Sequence, residues 1–146
     1  MLERFAMIKI TKESSVSIED VLHLYQAVGW TNYTNQPQML EQALSHSLAT
    51  YLARDGEEIV GLVRLVGDGF SSVFVQDLIV LPSYQRQGIG SNLMKEALAD
   101  YKDAYQIQLA TEQTEKTLGF YRSLGFETLS TYDCTGMIWV DRKKFK

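Results

Sequence analysis

The amino-acid sequence predicts a mixed α/β fold in which helices cover the faces of a central sheet. Short β-type apolar runs alternate along the chain with apolar residues at helical spacing. The Asp55-Gly56 dipeptide between two such runs is typical of a β-hairpin turn, which indicates antiparallel strands. A strand over 72–80, a helix over 91–101 and a strand over 107–110 form a unit whose two strands are expected to be parallel.

Two helices are predicted between the first strand and this hairpin. Ser17 is a good N-cap, and the helical stripe of apolar residues after it stops at Gly29. Pro37 suits the first turn of a second helix that runs to about Ser47. Residues 30–36 between these helices are predicted to form a polar loop that carries two large aromatic side chains.

The rest of the chain completes a sheet of about six to seven strands flanked by about four helices. The last helix, over 114–124, is expected to end at Gly125, because glycine is favoured just after a helix. The chain has no repeat and no linker, so we expect one domain over residues 1–146. The segments predicted as strands are 5–10, 50–54, 59–66, 72–80, 107–110, 126–131 and 137–140.

The composition indicates an ordinary globular domain with no nucleic-acid or membrane partner. The 146 residues are 45% hydrophobic and carry a formal net charge of −4, whereas nucleic-acid-binding domains usually have a basic face. No apolar run approaches the ~18 residues that a membrane-spanning helix needs. The single cysteine, Cys134, excludes an internal disulfide and a cysteine-cluster metal site. We therefore expect a cytoplasmic protein that uses no metal.

The stretch from Val75 to Gly90 is the most informative part of the sequence. An apolar strand ends at Pro82, and a turn that contains Gly88 and Gly90 leads into the next helix. Such a turn directs backbone N–H groups at a phosphate, so we predict that it binds a pyrophosphate. A dinucleotide-binding fingerprint fits less well, because Leu93 stands where its third glycine belongs. The residues predicted to line this site are Gln85, Arg86, Gln87, Gly88, Ile89, Gly90 and Ser91.

Two blocks of the sequence resemble the GCN5-related N-acetyltransferase (GNAT) superfamily. The pattern Gln85-x-x-Gly88-x-Gly90 after a strand resembles the coenzyme A signature of that family. The block Phe120-Tyr121-Arg122-Ser123-Leu124-Gly125-Phe126 resembles the segment on its penultimate helix. One helix and one strand separate the two blocks, as in that family, and the predicted element order matches over nearly the whole chain. The resemblance implies a GNAT-type mixed sheet and acetyl-CoA as the cosubstrate.

Further segments are similar to small bacterial GNAT members related to the plastid and cyanobacterial arylalkylamine N-acetyltransferases. This similarity implies acetyl transfer to the primary amine of a small molecule. Two alternatives stay open, namely a protein or peptide N-acetyltransferase and a non-catalytic acyl-CoA-binding regulatory module. Family members are often dimers, so a homodimer is expected, with the strands after Phe126 as candidates for the contact. The similar segments are Val28–Trp30, Val63–Arg64, Gly67–Asp68, Asp77–Gln85 and Gly136–Trp139.

The resemblance also implies roles for individual residues. Pantetheine is expected to run alongside the strand that ends at Val80, and the main-chain N–H near Leu78 to face the acetyl oxygen as the oxyanion donor. Tyr121 matches the family tyrosine that points at the coenzyme sulfur, where a phenol can protonate the leaving thiolate. Thr114 stands where many members carry an asparagine that contacts pantetheine, so here a hydroxyl would make that contact.

The acceptor amine needs a pocket and a base. Trp30 and Tyr33 lie in a region that often walls the acceptor site in this superfamily, and the alternative is that they cap the edge of the core. An alkylamine with a pKa near ~10 is mostly protonated at pH 7, so its proton must be removed. Asp77, inside an apolar strand, is either that base or a structural group that makes a hydrogen bond or an ion pair with Arg64. Glu112, also expected near the substrate, is the rival base, and ordered water is the third candidate.

Overall fold

The computed structural model describes residues 7–141 and residue 143. The chain divides into two compact units, the first of which ends at Ala110 and the second of which begins at Thr111. The expectation of one domain over residues 1–146 therefore stays a prediction.

The first unit is built on a five-stranded mixed sheet in which spatial order follows chain order. The first four strands pair antiparallel, and the fifth pairs parallel with the fourth. This confirms the predicted mixed sheet, the hairpin at Gly56 and the parallel unit. The strands are β1 Ile8–Glu13, β2 Ala49–Asp55, β3 Glu58–Gly67, β4 Ser72–Val80 and β5 Gln106–Leu109.

The described helices begin and end close to the residues that the sequence indicated. Ser17 precedes α1, and Gly29 follows it with a φ of 71°. The predicted loop over 30–36 is wrong in one respect, since Thr31–Thr34 forms a short helix. The polar composition of this segment gives no sign of a tertiary contact that it makes. The centroid of the Tyr33 ring lies 5.0 Å from that of Tyr25. The helices are α1 Ile18–Ala27, α2 Thr31–Thr34, α3 Pro37–Ser45, α4 Ile89–Asp100 and, in the second unit, α5 Glu115–Ser123.

Helices cover both faces of the sheet in the first unit. Leu62 and Ile79 pack into one core with residues of α1, α2 and α3. Successive side chains of a strand alternate between faces, so Gly61 points to the other side, where α4 lies. A Cβ on Gly61 would lie 3.2 Å from Leu93 Cδ1 and 3.1 Å from the Ile79 carbonyl oxygen. The glycine therefore lets α4 approach the sheet closely.

The prediction of two final strands, over 126–131 and 137–140, is wrong for the described residues of the second unit. Residues 129–132 form a 3₁₀ turn, and residues 137–140 have no regular structure. A strand needs a neighbour for its backbone groups, and neither segment is paired with another strand among the described residues. Local bonds replace a ladder, since the Cys134 N–H donates to the Leu129 carbonyl at 3.0 Å. The described sheet thus has five strands rather than six or seven.

No helix within residues 7–141 is both long and apolar enough to cross a membrane.

Candidate active site

The candidate site begins where β4 separates from β5. Pairing between these strands ends at Val75 and Leu109, so the following part of β4 has no strand partner on that side among the described residues. The Leu81 N–H donates to the Val60 carbonyl of β3 at 2.8 Å. Backbone direction alternates along a strand, which turns the groups of Val80 and Leu78 to the opposite, open edge. On this edge the Val80 carbonyl accepts from Gln85 Nε2 at 3.2 Å, which leaves the backbone groups of Leu78 and the Val80 N–H open to an extended chain.

The predicted phosphate turn continues directly from this edge. A 3₁₀ turn at Pro82–Tyr84 follows β4, and α4 begins at Ile89. Arg86 and Gly88 have left-handed backbone conformations, with φ of 66° and 80°, and such residues form the concave nests of N–H groups that bind anions. The first N–H groups of a helix have no intrahelical acceptor, and here the Asn92 N–H is the first to bond, to the Gly88 carbonyl at 3.0 Å.

The two glycines of the turn differ in what they contribute. Gly88 needs its left-handed φ, and a Cβ there would meet no atom within 4 Å. Gly90 lies inside the first turn of α4, so helical geometry does not require a glycine there. A close approach of a ligand remains the predicted reason for Gly90. The exposed positions from Gln85 to Gly88 face solvent, as a binding turn requires.

Tyr84, which the sequence analysis did not single out, ties the turn to the β2–β3 hairpin. Its hydroxyl donates to Asp55 Oδ2 at 2.7 Å and lies 3.4 Å from Glu58 Oε2. The hydrogen bond to Asp55, with smaller contributions from burial and from the nearby carboxylates, raises the pKa of Tyr84 to about 12. The phenol is therefore a proton donor throughout the neutral range and holds the base of the turn in place.

A buried polar cluster lies beneath the same strand. Asp77 Oδ2 accepts from Arg64 Nε at 2.8 Å and from the Tyr25 hydroxyl at 2.8 Å. Asp77 Oδ1 accepts from the Tyr33 hydroxyl at 2.9 Å. Asp77 and Arg64 are each only 3% exposed. The ion pair that the sequence left open as the alternative role of Asp77 is thus present.

A β-bulge in β4 puts Asp77 on the face of the sheet where this cluster lies. Arg64 pairs with Asp77 and Leu65 pairs with Val75, which leaves Gln76 as an extra residue in β4. Because paired residues share a face of the sheet, Val75 and Asp77 lie on opposite faces although both are buried. Gln76 itself is exposed, and its Nε2 donates to the Tyr33 hydroxyl at 3.3 Å. Sequence reasoning missed Gln76, because a bulge leaves no mark on the alternation of apolar residues.

The two residues predicted to wall the site of the acceptor amine, Trp30 and Tyr33, lie at this cluster. Trp30 is half-buried, and its ring lies 6.1 Å from that of Tyr25 and 6.3 Å from that of Tyr33. Burial, followed by the charge of Asp77, raises the pKa of Tyr33. Its hydroxyl is committed to the cluster, whereas the exposed part of the Trp30 ring is free to contact another molecule.

The second unit holds the remaining predicted residues. The Tyr121 ring packs edge-to-face against Phe120 and Phe126, at centroid distances of 5.0 and 5.9 Å. Burial raises the pKa of Tyr121, so its phenol keeps its proton at neutral pH. Thr114 caps α5 by accepting from the Thr117 N–H at 3.2 Å. Glu112 is exposed. The predicted roles of Tyr121, Thr114 and Glu112 stay predictions.

Residues 7–141 and 143 contain no group of three or more His, Cys, Asp or Glu side chains placed to hold a metal ion.

Known proteins identify the family. Residues 46–128 match the family model described as an acetyltransferase (GNAT) domain, which is more than half of the chain. The chain belongs to the GNAT acetyltransferase family. A GNAT family acetyltransferase from Streptococcus pneumoniae has a similar solved structure, with 76% identity and a TM-score of 0.86. That likeness covers 93% of this chain and 99% of the pneumococcal one.

Two other GNAT proteins extend the comparison. A chloroplastic serotonin N-acetyltransferase from rice is 33% identical over 95 residues, which are 62% of this chain and 48% of the rice protein. The chain therefore spans about half the length of that relative. A GNAT acetyltransferase from Elizabethkingia anophelis, solved with acetyl-CoA bound, has a TM-score of 0.61 at 22% identity. The match covers 82% of this chain and 76% of that one and shows the shared fold.

Proposed function

We propose that this protein transfers the acetyl group of acetyl-CoA to the primary amine of a small molecule. The observation that supports this proposal best is the open edge of β4 at Leu78 and Val80. This edge leads directly into the left-handed turn at Gly88 and the N-terminus of α4. An extended pantetheine and a pyrophosphate are the chemical groups that such an edge and turn suit. The family of the chain supports the same cosubstrate.

The proposed reaction assigns one task to each element. The turn at 85–91 holds the pyrophosphate, and the backbone of Leu78 and Val80 orients pantetheine. The Leu78 N–H donates to the acetyl oxygen as negative charge develops there. The amine nitrogen bonds to the acetyl carbon and the carbon–sulfur bond breaks, while Tyr121 gives its proton to the sulfur. The proton of the amine leaves to Glu112 or to ordered water.

An aromatic alkylamine is the proposed acceptor class. The exposed part of the Trp30 ring offers an apolar face, which can stack on an aromatic ring or contact an ammonium group. The name of the rice relative, a serotonin N-acetyltransferase, supports the same class. The alternatives are a protein or peptide acetyltransferase and a non-catalytic acyl-CoA-binding module.

An acceptor screen tests this proposal. Thiol release from acetyl-CoA is measured with serotonin, tyramine, spermidine, free amino acids and short peptides. Turnover highest with serotonin or tyramine is the expected result. Turnover with peptides alone would favour the first alternative. Binding of acetyl-CoA by calorimetry with no turnover of any amine would favour the second.

The hydrogen bond from the Tyr84 hydroxyl to Asp55 leads to the first prediction. Tyr84→Phe removes the donor to Asp55 and loosens the turn, so the Kd of acetyl-CoA is expected to rise about 3- to 10-fold with kcat nearly unchanged. Isothermal titration calorimetry measures the change. Tyr105→Phe is the control, since Tyr105 lies just before β5, outside the turn, and is 82% exposed. An equal rise in both variants would remove the special role of Tyr84.

We also propose a cytoplasmic homodimer in which a second copy covers residues 137–140. This apolar segment is open to solvent, with Met137 94% and Trp139 80% exposed, and a partner strand would satisfy its backbone groups. Light scattering should give twice the mass of one chain for the wild type and one chain mass for Ile138→Lys. Phe70→Lys, at an exposed apolar residue of the first unit, should stay dimeric. A monomeric wild type would refute the contact.

A further inference from the structure

The buried cluster around Asp77 joins four elements of the first unit and the segment that follows α3. Tyr25 comes from α1, Tyr33 from α2, Arg64 from β3 and Asp77 from β4. Arg64 Nη1 also donates to Ser47 Oγ, just beyond α3, at 3.2 Å. Among the described residues, no buried side-chain nitrogen or oxygen lacks a hydrogen-bond partner. The cluster is therefore a complete polar network and not a set of separate contacts.

The network reaches the surface at the bulge, where Gln76 is exposed. The Tyr33 hydroxyl donates to Asp77 and accepts from Gln76 Nε2, so it links the buried carboxylate to the extra residue of β4. Gln76 lies two residues before Leu78, whose N–H faces the open edge. Asp77 directly precedes Leu78, so the Tyr33 hydroxyl holds the two residues, Gln76 and Asp77, whose backbone leads into that N–H.

Asp77 is poorly placed to act as the base for the amine. Its two oxygens accept three hydrogen bonds, one of them from a guanidinium. The side chain is almost fully removed from solvent, so an amine has no open path to it in the first unit. Its Oδ2 is also the partner of the Arg64 guanidinium at 2.8 Å, and a buried ion pair that loses one partner leaves the other charge uncompensated.

We propose that Asp77 is a positioning residue which, through Tyr33 and Gln76, fixes the β4 bulge and so the direction of the Leu78 N–H. This proposal rests on the proposed function of the same edge. The charges of Arg64 and Asp77 balance inside the sheet, and the proton of the amine goes elsewhere. Gln76 is the outermost member, so its loss should disturb the site without disturbing the fold.

The first experiment removes the outer link. Gln76→Met keeps the length of the side chain and loses the donor to Tyr33. With serotonin as the acceptor, kcat is expected to fall about 10-fold, because the oxyanion donor is misdirected in the transition state. The melting temperature and the Kd of acetyl-CoA should stay at wild-type values. Gln26→Met, at an exposed glutamine on α1, is the control and should keep full activity.

A nuclear magnetic resonance measurement tests the positioning role of Asp77 separately from the proposed acetyl transfer. The amide resonance of Leu78 should shift in Gln76→Met and stay in place in Gln26→Met. This test needs no turnover, so it holds even if serotonin is not a substrate. An unmoved Leu78 resonance together with wild-type kcat would overturn the positioning role. A wild type that binds no acetyl-CoA would instead overturn the proposed function.

The second experiment asks whether Asp77 carries the proton. Asp77→Asn should lower kcat/KM over the whole pH range and leave the midpoint of the acidic limb where it is. Disappearance of that limb would show that Asp77 is the base and would overturn the proposal. If Asp77→Asn does not fold, Tyr33→Phe replaces it, because it removes the link and keeps the ion pair. Folded Tyr33→Phe with wild-type kcat would equally overturn the proposal.

Discussion

Gly88→Glu is expected to abolish detectable binding of acetyl-CoA while the free protein stays folded. The variant places a carboxylate where the pyrophosphate should lie and strains a backbone that has a φ of 80°. A Cβ at Gly88 meets no other atom within 4 Å, so the strain of about 1–2 kcal/mol is the main cost to the fold. Wild-type protein should gain ~2.7 kcal/mol of stability at a ligand concentration of 100 Kd, and the variant almost none.

Gly29→Glu is a closely matched control for this experiment. Gly29 has a φ of 71° and similar open space around it, but it follows α1 and lies outside the predicted turn. It should lose similar stability in the free state and keep the full shift with acetyl-CoA. Calorimetric scans with and without acetyl-CoA measure both quantities. A full ligand shift in Gly88→Glu would mean that the coenzyme binds elsewhere.

Tyr121→Phe should lower kcat by ~10²-fold or more with little change in the Kd of acetyl-CoA. The hydroxyl acts mainly as charge builds on the sulfur, so its loss affects the transition state and not the bound ground state. The edge-to-face packing on Phe120 and Phe126 involves only the ring, which phenylalanine keeps. Stability should therefore change little.

Steady-state kinetics at saturating acetyl-CoA provide the measurement for Tyr121. Tyr132→Phe, at an exposed tyrosine of the same unit, is the control. Because burial raises the pKa of Tyr121, the wild type should keep its acid in the protonated form through neutral pH. Wild-type kcat in Tyr121→Phe would reduce this residue to a packing role.

The elements around the phosphate turn could be predicted because local chemistry determines them. An apolar run that stops at Pro82, followed by glycines, leaves few conformations open to the chain. The turn appears with Gly88 in the left-handed region, and α4 begins two residues earlier than expected. The sequence likewise predicted that Gly125 would follow α5, and there it has a φ of 97°.

Long-range contacts account for what could not be predicted. Val75 and Asp77 are spaced as residues on one face of a strand, yet the bulge at Gln76 separates them onto opposite faces. The tether from Tyr84 to Asp55 joins residues far apart in the chain. The segments over 126–131 and 137–140 have strand-like composition, but composition does not supply the neighbour that a strand needs.

The Arg64–Asp77 pair also bears on how β3 and β4 align during folding. Seven consecutive residues of β3, from Ile59 to Leu65, are buried, so apolar pattern alone discriminates weakly between alternative alignments. A slip of one residue would move Asp77 away from Arg64 and leave two buried charges unpaired. Each unpaired charge would cost several kcal/mol, which is comparable to the whole stability of a small domain. The ion pair therefore selects one register out of several, and with it the bulge on which the site depends.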